Sequence, residues 1–128
     1  MAKAADVYFV VDPWKIIEKG FDPAYSRVSE SVFSLANETM GVRGCFDEGG
    51  SVDSLRGAYV NGVYEMEQLG RSYCGIIDKS HFMIPCAEWL MCRITLDGEV
   101  LDLGKVQFGD FTRELDMRAG TLTRRFVW

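Results

Sequence analysis

ESVFSLANETMGVRGCFDEGG, residues 30–50, combines an apolar run, two glycines flanking a Val-Arg pair and an acidic Gly-Gly loop. Ser29, just before this stretch, can cap a short helical turn over residues 30–35, because a serine hydroxyl accepts a hydrogen bond from a free amide at a helix start. The apolar side chains of the turn would then share one buried face. We predict that the turn ends by Asn37.

The segment after this turn has the composition of an interrupted strand. Met40, Val42 and the segment to Phe46 have the apolar and β-branched content of a strand, but Gly41 and Gly44 interrupt it. A glycine inside a strand indicates a bulge or the close approach of another backbone. Residues 47–53 are predicted as a loop.

Short strands and turns are predicted on both sides of this region. Residues 14–19 form a candidate strand that ends at Gly20. Residues 58–64 are a second candidate, with Asn61-Gly62 in the middle. That dipeptide predicts a type I′ hairpin, but the two-residue arms are short, so one continuous bulged strand remains the alternative.

The C-terminal half predicts an antiparallel meander. Apolar residues alternate along residues 90–96, and Asp97-Gly98 follows as a strong hairpin signal. Residues 111–116 and 121–127 form a second predicted pair, joined by a loop that ends in glycine. The expected fold is mainly β and antiparallel, with one short helical turn.

Composition limits the classes of function. The 128 residues suit a single domain, with residues 1–13 as a loose N-terminal extension, and the net charge of −5 without a basic run argues against nucleic acid. The apolar run over residues 7–11 is too short for a signal peptide or a membrane span, so we expect a cytoplasmic protein. The four cysteines, Cys45, Cys74, Cys86 and Cys92, lack metal-ligand or disulfide-framework spacing. We therefore expect reduced structural thiols and no metal.

The last strand ends on Phe126-Val127-Trp128 without a polar tail. Chain ends usually extend into solvent, so an apolar strand at the terminus favours a chain cut inside a larger fold. Such a chain would expose strand edges and an apolar face, and we expect it to associate with itself.

Three segments together resemble a known family. They are WKIIEKGFDPAYSRVSESVFSLANETMGVRGCFDEGG (residues 14–50), GAYVNGVYE (57–65) and LDMRAGTLTRRFVW (115–128). In this order they closely resemble the N-terminal domain of glycoside hydrolase family 65, which includes maltose, kojibiose, nigerose and trehalose phosphorylases and some acid trehalases. Ala36 and Glu38 stand where the family usually has glycines, and Thr39-Met40 replaces an aromatic-hydrophobic pair.

The resemblance implies an antiparallel β-sandwich that precedes a helical linker and an (α/α)6 catalytic barrel in the parent enzyme. In the family a barrel glutamate protonates the glycosidic oxygen of an α-glucoside, and inorganic phosphate, or water in hydrolases, attacks the anomeric carbon with inversion. The implied partners are that barrel and a second copy in a homodimer. Phosphate would be a co-substrate of the parent enzyme, and no cofactor is expected.

The chain's own residues give weak catalytic candidates. Inverting hydrolysis needs two carboxylates about 6.5–9.5 Å apart. No spacing defines such a pair among the acidic candidates, which we expect to be solvated: Asp47, Glu48, Asp53, Glu65 and Glu67. The Gly49-Gly50-Ser51 turn is predicted as a flexible loop, because acidic neighbours would repel a phosphate. The single histidine, His81, is a poor candidate for a base.

Asn37, Arg43, Asp47 and Glu48 are the binding candidates, at a domain interface or near substrate. Arg43 is either a fork donor to a carboxylate across a domain boundary or a strand arginine with its head in water. Tyrosines and tryptophans of the strands can stack on sugar rings, although packing is their commoner role. The expected function is a non-catalytic domain of a disaccharide phosphorylase; the alternative is a stand-alone glycan-binding β-sandwich.

Overall fold

A computed structural model describes residues 9–70, 78–86 and 89–128 of the chain. The described part is mainly β, with one α-helix, α1 (Ser26–Val32), which follows a short 3-10 helix (Pro23–Tyr25). The strands, in chain order, are β1 (Phe9–Val11), β2 (Lys15–Lys19), β3 (Leu35–Ala36), β4 (Met40–Val42), β5 (Ala58–Val60), β6 (Tyr64–Gln68), β7 (Lys79–Met83), β8 (Thr95–Leu96), β9 (Glu99–Val100), β10 (Gly109–Asp116) and β11 (Thr121–Val127).

All described strand pairs are antiparallel, as the sequence predicts. The largest sheet has the order β1-β2-β10-β11, and a three-stranded sheet has the order β3-β4-β5. Strands β6 and β7 form one separate pair, and β8 and β9 form another. The mainly β antiparallel fold with one short helix is therefore confirmed.

The core lies on the inner face of the four-stranded sheet. Along β10, Phe111, Arg113 and Leu115 are buried and alternate with half-buried residues, as expected for a strand with one face toward a core. Phe111 packs with Phe46 and with two leucines of the loop after β9, Leu101 and Leu103. An arginine thus occupies a position that the strand period assigns to an apolar side chain.

The helix begins earlier than predicted. Asp22 caps the 3-10 helix by accepting a hydrogen bond from the Ala24 amide, and α1 continues directly from that turn. The prediction that Ser29 caps a turn over residues 30–35 was wrong, because Ser29 lies inside α1 and is buried. Leu35 belongs to β3 instead of the helix.

Gly44 marks a close contact between two backbone segments. A Cβ atom at Gly44 would lie 2.5 Å from the Phe33 carbonyl oxygen, and the Gly44 amide donates to the Glu30 carbonyl at 2.8 Å. The predicted close backbone approach at this glycine is confirmed. The predicted strand over residues 40–46 is right only for β4, because the chain leaves the sheet after Val42 to cross the end of α1.

Both structures proposed around Asn61-Gly62 were wrong. The dipeptide forms a turn in which only Gly62 has a positive φ, of 86°, whereas a type I′ turn needs two such residues. The flanking strands β5 and β6 do not pair with each other, since β5 pairs with β4 and β6 with β7. The turn moves the chain from one sheet to the next.

The two C-terminal hairpins are confirmed, but one strand is shorter than predicted. Asp97 and Gly98 both have positive φ values, of 51° and 87°, and they connect β8 to β9. Strands β10 and β11 pair as expected. Residues 90–94 lie outside any strand, and Leu90, Met91 and Ile94 are exposed, so the alternation there was misleading.

Three remaining expectations concern the chain ends and the cysteines. Residues 9–11 of the segment interpreted as an extension form β1, which pairs with β2, and residues 1–8 lie outside the described residues. Cys86 and Cys92 are free thiols, the Cys45 thiol donates to the Arg43 carbonyl at 3.6 Å, and Cys74 lies outside the described residues. No helix among the described residues is long and apolar enough to cross a membrane.

Candidate functional site

A buried ion pair joins the two middle strands of the four-stranded sheet. Glu18 of β2 and Arg113 of β10 are direct neighbours across the strands, and their side chains are 2% and 3% exposed. The Arg113 Nε and Nη2 atoms donate to Glu18 Oε2 at 2.8 and 2.6 Å, and Nη1 donates to the Gly44 carbonyl at 2.7 Å. The guanidinium therefore links the sheet to the glycine-containing segment after β4.

The second oxygen of Glu18 is also occupied. Ser29 of α1 donates its hydroxyl to Glu18 Oε1 at 2.6 Å. The rings of Phe33 and Phe46 lie 4.7 and 5.3 Å from the Arg113 guanidinium carbon, in the range of cation–π contacts. This cluster of charges and rings connects the sheet to the helix.

Glu30 anchors the loop after the acidic segment to the helix. Its carboxylate accepts hydrogen bonds from the Ser54 hydroxyl at 2.6 Å and the Leu55 amide at 2.5 Å. Arg43 Nη2 lies 3.4 Å from the same carboxylate and donates to the Ser31 hydroxyl at 2.6 Å. The Nε atom of Arg43 is buried and has no hydrogen-bond partner among the described residues. Part of the Arg43 guanidinium is thus hydrogen-bonded within this chain, and its charge lies beside the Glu30 carboxylate.

Glu48 and Asp47, adjacent in sequence, differ in environment. Glu48 is buried, and its Oε2 accepts from Arg124 Nη2 of β11 at 2.5 Å, while the Arg124 guanidinium also lies 4.6 Å from the Phe46 ring centre. Asp47 is exposed overall, yet partial burial raises the pKa of its carboxyl, and Arg124 acts in the opposite direction. The expectation that Glu48 is solvated was wrong.

Asn37 has a local structural role. Its Oδ1 atom accepts from the amides of Thr39 and Met40 at 2.8 and 2.9 Å, which closes the tight turn between β3 and β4. Asparagine favours this geometry because its short side chain can bond to the backbone two residues ahead. The side chain itself stays exposed at the rim of a groove.

Two grooves meet at Arg43. One, with a volume of about 640 Å³, lies over the three-stranded sheet and is lined by Asn37, Arg43 and Tyr59 among others. The other, of about 340 Å³, is lined by Arg43, Asp47 and Arg124 among others. Three of the four binding candidates therefore line grooves: Asn37 lines the first, Asp47 lines the second, and Arg43 lines both. Glu48 is buried and pairs with Arg124, which lines the second groove.

The loop with two successive glycines does hold an anion, namely a carboxylate of the same chain. The Ser51 amide donates to both Asp102 oxygens at 3.0 and 3.1 Å, and the Gly104 amide donates to Oδ1 at 3.0 Å. A Cβ atom at Gly50 would lie 2.6 Å from Asp102 Oδ1, so only glycine fits there. Desolvation alone would raise the pKa of Asp102, but these amides, with Lys105, lower it to about 2.

The remaining candidate acids and the histidine lie on the surface. Asp53 pairs with Arg27 at 2.8 Å, and both side chains are mostly exposed. Glu65 and Glu67 of β6 and His81 of β7 are exposed on the two-stranded sheet. These groups match the expectation of solvated side chains.

Sequence reasoning missed the charged residues that organise the structure. Glu18 follows two isoleucines, Arg113 lies between Phe111 and Leu115 in the alternation of β10, and both charged residues occupy inward positions. Two opposite charges at inward positions of different strands were the available signal. Without the strand register, however, nothing indicated that these two residues face each other.

Comparison with known proteins agrees with this architecture. The family model described as glycosyl hydrolase family 65, N-terminal domain, matches residues 16–128. A maltose phosphorylase of Bacillus subtilis (strain 168) is 36% identical over 121 residues, covering 93% of this chain and 16% of that protein. A kojibiose phosphorylase of Thermoanaerobacter brockii is 33% identical over 120 residues, covering 91% of this chain and 14% of that protein.

A solved structure shows the same fold. It is a putative kojibiose phosphorylase from the human microbiome, 44% identical, with a TM-score of 0.83 over 94% of this chain and 16% of that chain. The chain therefore spans about one sixth or less of the length of these relatives. Because the family match covers nearly all the described strands, this chain belongs to glycosyl hydrolase family 65 and carries the family's N-terminal domain.

Proposed function

We propose that this chain serves as the non-catalytic N-terminal domain of a disaccharide phosphorylase that cleaves an α-glucoside by inverting phosphorolysis. The family match over residues 16–128 carries the proposal. Relatives that share this region are named maltose, kojibiose and α,α-trehalose phosphorylases. Inorganic phosphate would be the co-substrate of the complete enzyme.

The use of the buried carboxylates supports a non-catalytic role. Among the described residues the buried acids are Glu18, Glu30 and Glu48, and each accepts hydrogen bonds from neighbouring strands or loops. A catalytic acid has to exchange its proton with substrate, which requires a free oxygen facing a substrate cleft. Glu18 has both oxygens occupied by Ser29 and Arg113 and is 2% exposed, so it has no free oxygen to offer a substrate.

The surface supports a partner domain. The groove beside Arg43, Asp47 and Arg124 presents both signs of charge next to the exposed side chains of Leu90 and Met91. Mixed surfaces of this kind are typical of contacts between domains of one chain. We propose that a helical (α/α)6 catalytic barrel of the same polypeptide contacts this surface, and that the complete enzyme is a homodimer.

The proposal includes a cytoplasmic location. Cys86 and Cys92 are free thiols, and exposed Cys92 would be oxidised readily outside the cell. Intracellular disaccharide would then be the substrate pool.

A domain exchange tests the proposed function. In the Bacillus subtilis maltose phosphorylase, the segment that aligns with this chain is replaced by residues 16–128, and maltose consumption is followed with and without inorganic phosphate. We expect phosphate-dependent activity in the exchanged protein. The deletion of that segment is expected to leave an inactive or unfolded protein, and the isolated chain is expected to be inactive.

A matched variant shows whether the exchanged domain must be folded. The same chimera with Arg113→Met should lose activity as its N-terminal domain unfolds. Phosphorolysis by the isolated chain would contradict the non-catalytic role. A chimera that folds and yet is as inactive as the deletion would contradict the supporting role.

A further inference from the structure

The larger groove lies on an open face of the three-stranded sheet. Ala36, Gly41 and Tyr59 are neighbours across β3, β4 and β5 and therefore share one side of the sheet. Two of the three have almost no side chain, and Gly41 is so close to Ala36 that an added Cβ atom would lie 3.2 Å from the Ala36 Cβ atom. The row is thus shallow at one end and carries one aromatic ring at the other.

The hydroxyl end of the Tyr59 ring lies close to Gly57. A Cβ atom at Gly57 would be 2.4 Å from the tyrosine Oη atom and 2.7 Å from both Cε2 and Cζ. The ring can occupy this place only because residue 57 is glycine. The hydroxyl end of the ring therefore lies against Gly57, and the tyrosine also lines the groove.

Polar groups with spare hydrogen-bonding capacity surround this ring. Asn37 uses its Oδ1 atom for the turn, which holds the side chain in place and leaves its NH₂ group as a donor. Asn61 donates to the Glu38 carbonyl at 3.0 Å, and its Oδ1 atom accepts one long hydrogen bond, of 3.4 Å, from Tyr64. The Arg43 side chain also lines the groove, and its Nη2 atom donates to the Ser31 hydroxyl at 2.6 Å.

These groups suit a neutral, hydroxyl-rich ring. A flat aromatic face matches the C–H face of a pyranose, and amide groups can donate to and accept from neighbouring hydroxyls. An anion is disfavoured, because the charge of Arg43 is already balanced by Glu30 and Glu38 also lines the groove. The volume of about 640 Å³ is within the range of small-molecule sites.

We propose that this groove binds a glucosyl residue of an α-linked glucoside, with Tyr59 as the stacking platform and Asn37, Asn61 and Arg43 as its hydrogen-bonding rim. The inference rests on the proposed function for the class of ligand. It adds a sugar-binding site to a domain whose catalytic partner would be elsewhere.

A titration of the isotope-labelled chain tests the site. Maltose, kojibiose and trehalose are added in turn, and amide chemical shifts are followed by NMR. We expect saturable shifts around Asn37, Tyr59 and Asn61 for at least one disaccharide, with a Kd of about 1–10 mM, typical of a small exposed site. Sorbitol, which has the hydroxyls but no ring face, should cause no saturable shift.

Two substitutions at one position separate stacking from folding. Tyr59→Phe keeps the ring and should change the Kd by less than about threefold, whereas Tyr59→Ala should weaken binding by about tenfold or more. Trp14→Ala removes an exposed aromatic ring just before β2, outside the groove, and should leave the Kd unchanged. Thermal unfolding of each variant verifies that the domain is folded.

Absence of saturable binding up to roughly 100 mM disaccharide would overturn the inference. Binding that Tyr59→Ala leaves unchanged would overturn it too. Neither result contradicts the proposed function, which the domain exchange tests separately. An active chimera that carries Tyr59→Ala would support the proposed function even if the sugar-binding site were disproved. Conversely, saturable binding at Tyr59 together with an inactive chimera would support the site and contradict the phosphorylase role.

Discussion

At the scale of single residues, the most consequential pair is Glu18 and Arg113. Both are almost completely buried, and the guanidinium uses all three of its nitrogens on one carboxylate oxygen and one carbonyl. Burying such a pair gains little net stability, because desolvation offsets the attraction. Its geometry instead specifies how β2, β10 and the Gly44 segment meet, since an uncompensated charge in any other arrangement would be costly.

Removing one member of this pair should be far worse than removing both. We expect Arg113→Met to lower the free energy of unfolding by about 3–5 kcal/mol, because Glu18 would be left as an unpaired buried charge. The double variant Glu18→Leu with Arg113→Met should recover most of that loss. Urea unfolding of the three proteins measures this coupling, and equal losses in the single and double variants would argue against it.

At the scale of elements, Asp102 connects two loops that are remote in sequence. Its carboxylate accepts from the Ser51 and Gly104 amides and lies 3.1 Å from the Lys105 ammonium. The loop after the acidic segment is thereby attached to the turn that precedes β10. The glycines at positions 50 and 104 are needed because a side chain at either one would meet this cluster.

This attachment predicts a pH dependence with a defined sign. Because the folded pKa of Asp102 is lowered from 3.8 to about 2, its contribution to stability is complete above pH 3.8 and is lost as the pH falls toward 2. We expect Asp102→Asn to be less stable than the original chain at neutral pH, and the difference to shrink across that window. Urea unfolding from pH 7 to pH 2.5 measures it.

Asp97→Asn provides the matched control for that measurement. Asp97 is an exposed turn residue with a positive φ, which asparagine also tolerates. The Asp97→Asn substitution should leave the pH dependence of the free energy of unfolding unchanged. A constant difference between Asp102→Asn and the original chain at every pH would contradict the assigned role of the carboxylate.

At the scale of the whole molecule, much apolar surface is uncovered. Tyr64 and Met66 of β6 and Met83 of β7 share one face of the two-stranded sheet and are 52%, 56% and 45% exposed. Within the described residues, the outer edge of β11 is also unpaired. Exposed apolar faces and strand edges are surfaces on which proteins associate.

We therefore predict that the chain in isolation associates with itself. Light scattering at increasing concentration should show a mass that rises above that of the monomer. Met66→Lys with Met83→Lys should reduce the association, because two charges would be placed on the shared face. Met117→Lys, at an exposed methionine in the turn between β10 and β11, is the control and should have no effect. A monomer at all concentrations would contradict this prediction.

The accuracy of the sequence-based predictions followed the range of the interactions involved. The hairpin at Asp97-Gly98 and the β10–β11 pair were predicted correctly, because turn chemistry and strand period are local properties. Residues 90–94 show the limit of such reasoning, since alternation alone does not supply a neighbouring strand. The sequence suggested Arg43 and Glu48 as candidates from their residue types alone. It did not indicate their partners, which are Ser31 of α1 for Arg43 and Arg124 of β11 for Glu48.

The sequence by itself determined that the chain is antiparallel and mainly β, where its C-terminal hairpins turn, and which family it resembles, because these depend on local conformation and on the order of residues. Only the tertiary structure decided that Glu18 faces Arg113, that the Asp102 carboxylate binds the glycine loop, and that the Tyr59 hydroxyl end lies against Gly57. Each of these depends on strand register or on segments that meet across long stretches of sequence. Such contacts form because burial and charge compensation favour them in the folded chain, and a local sequence pattern does not show which distant segments will meet.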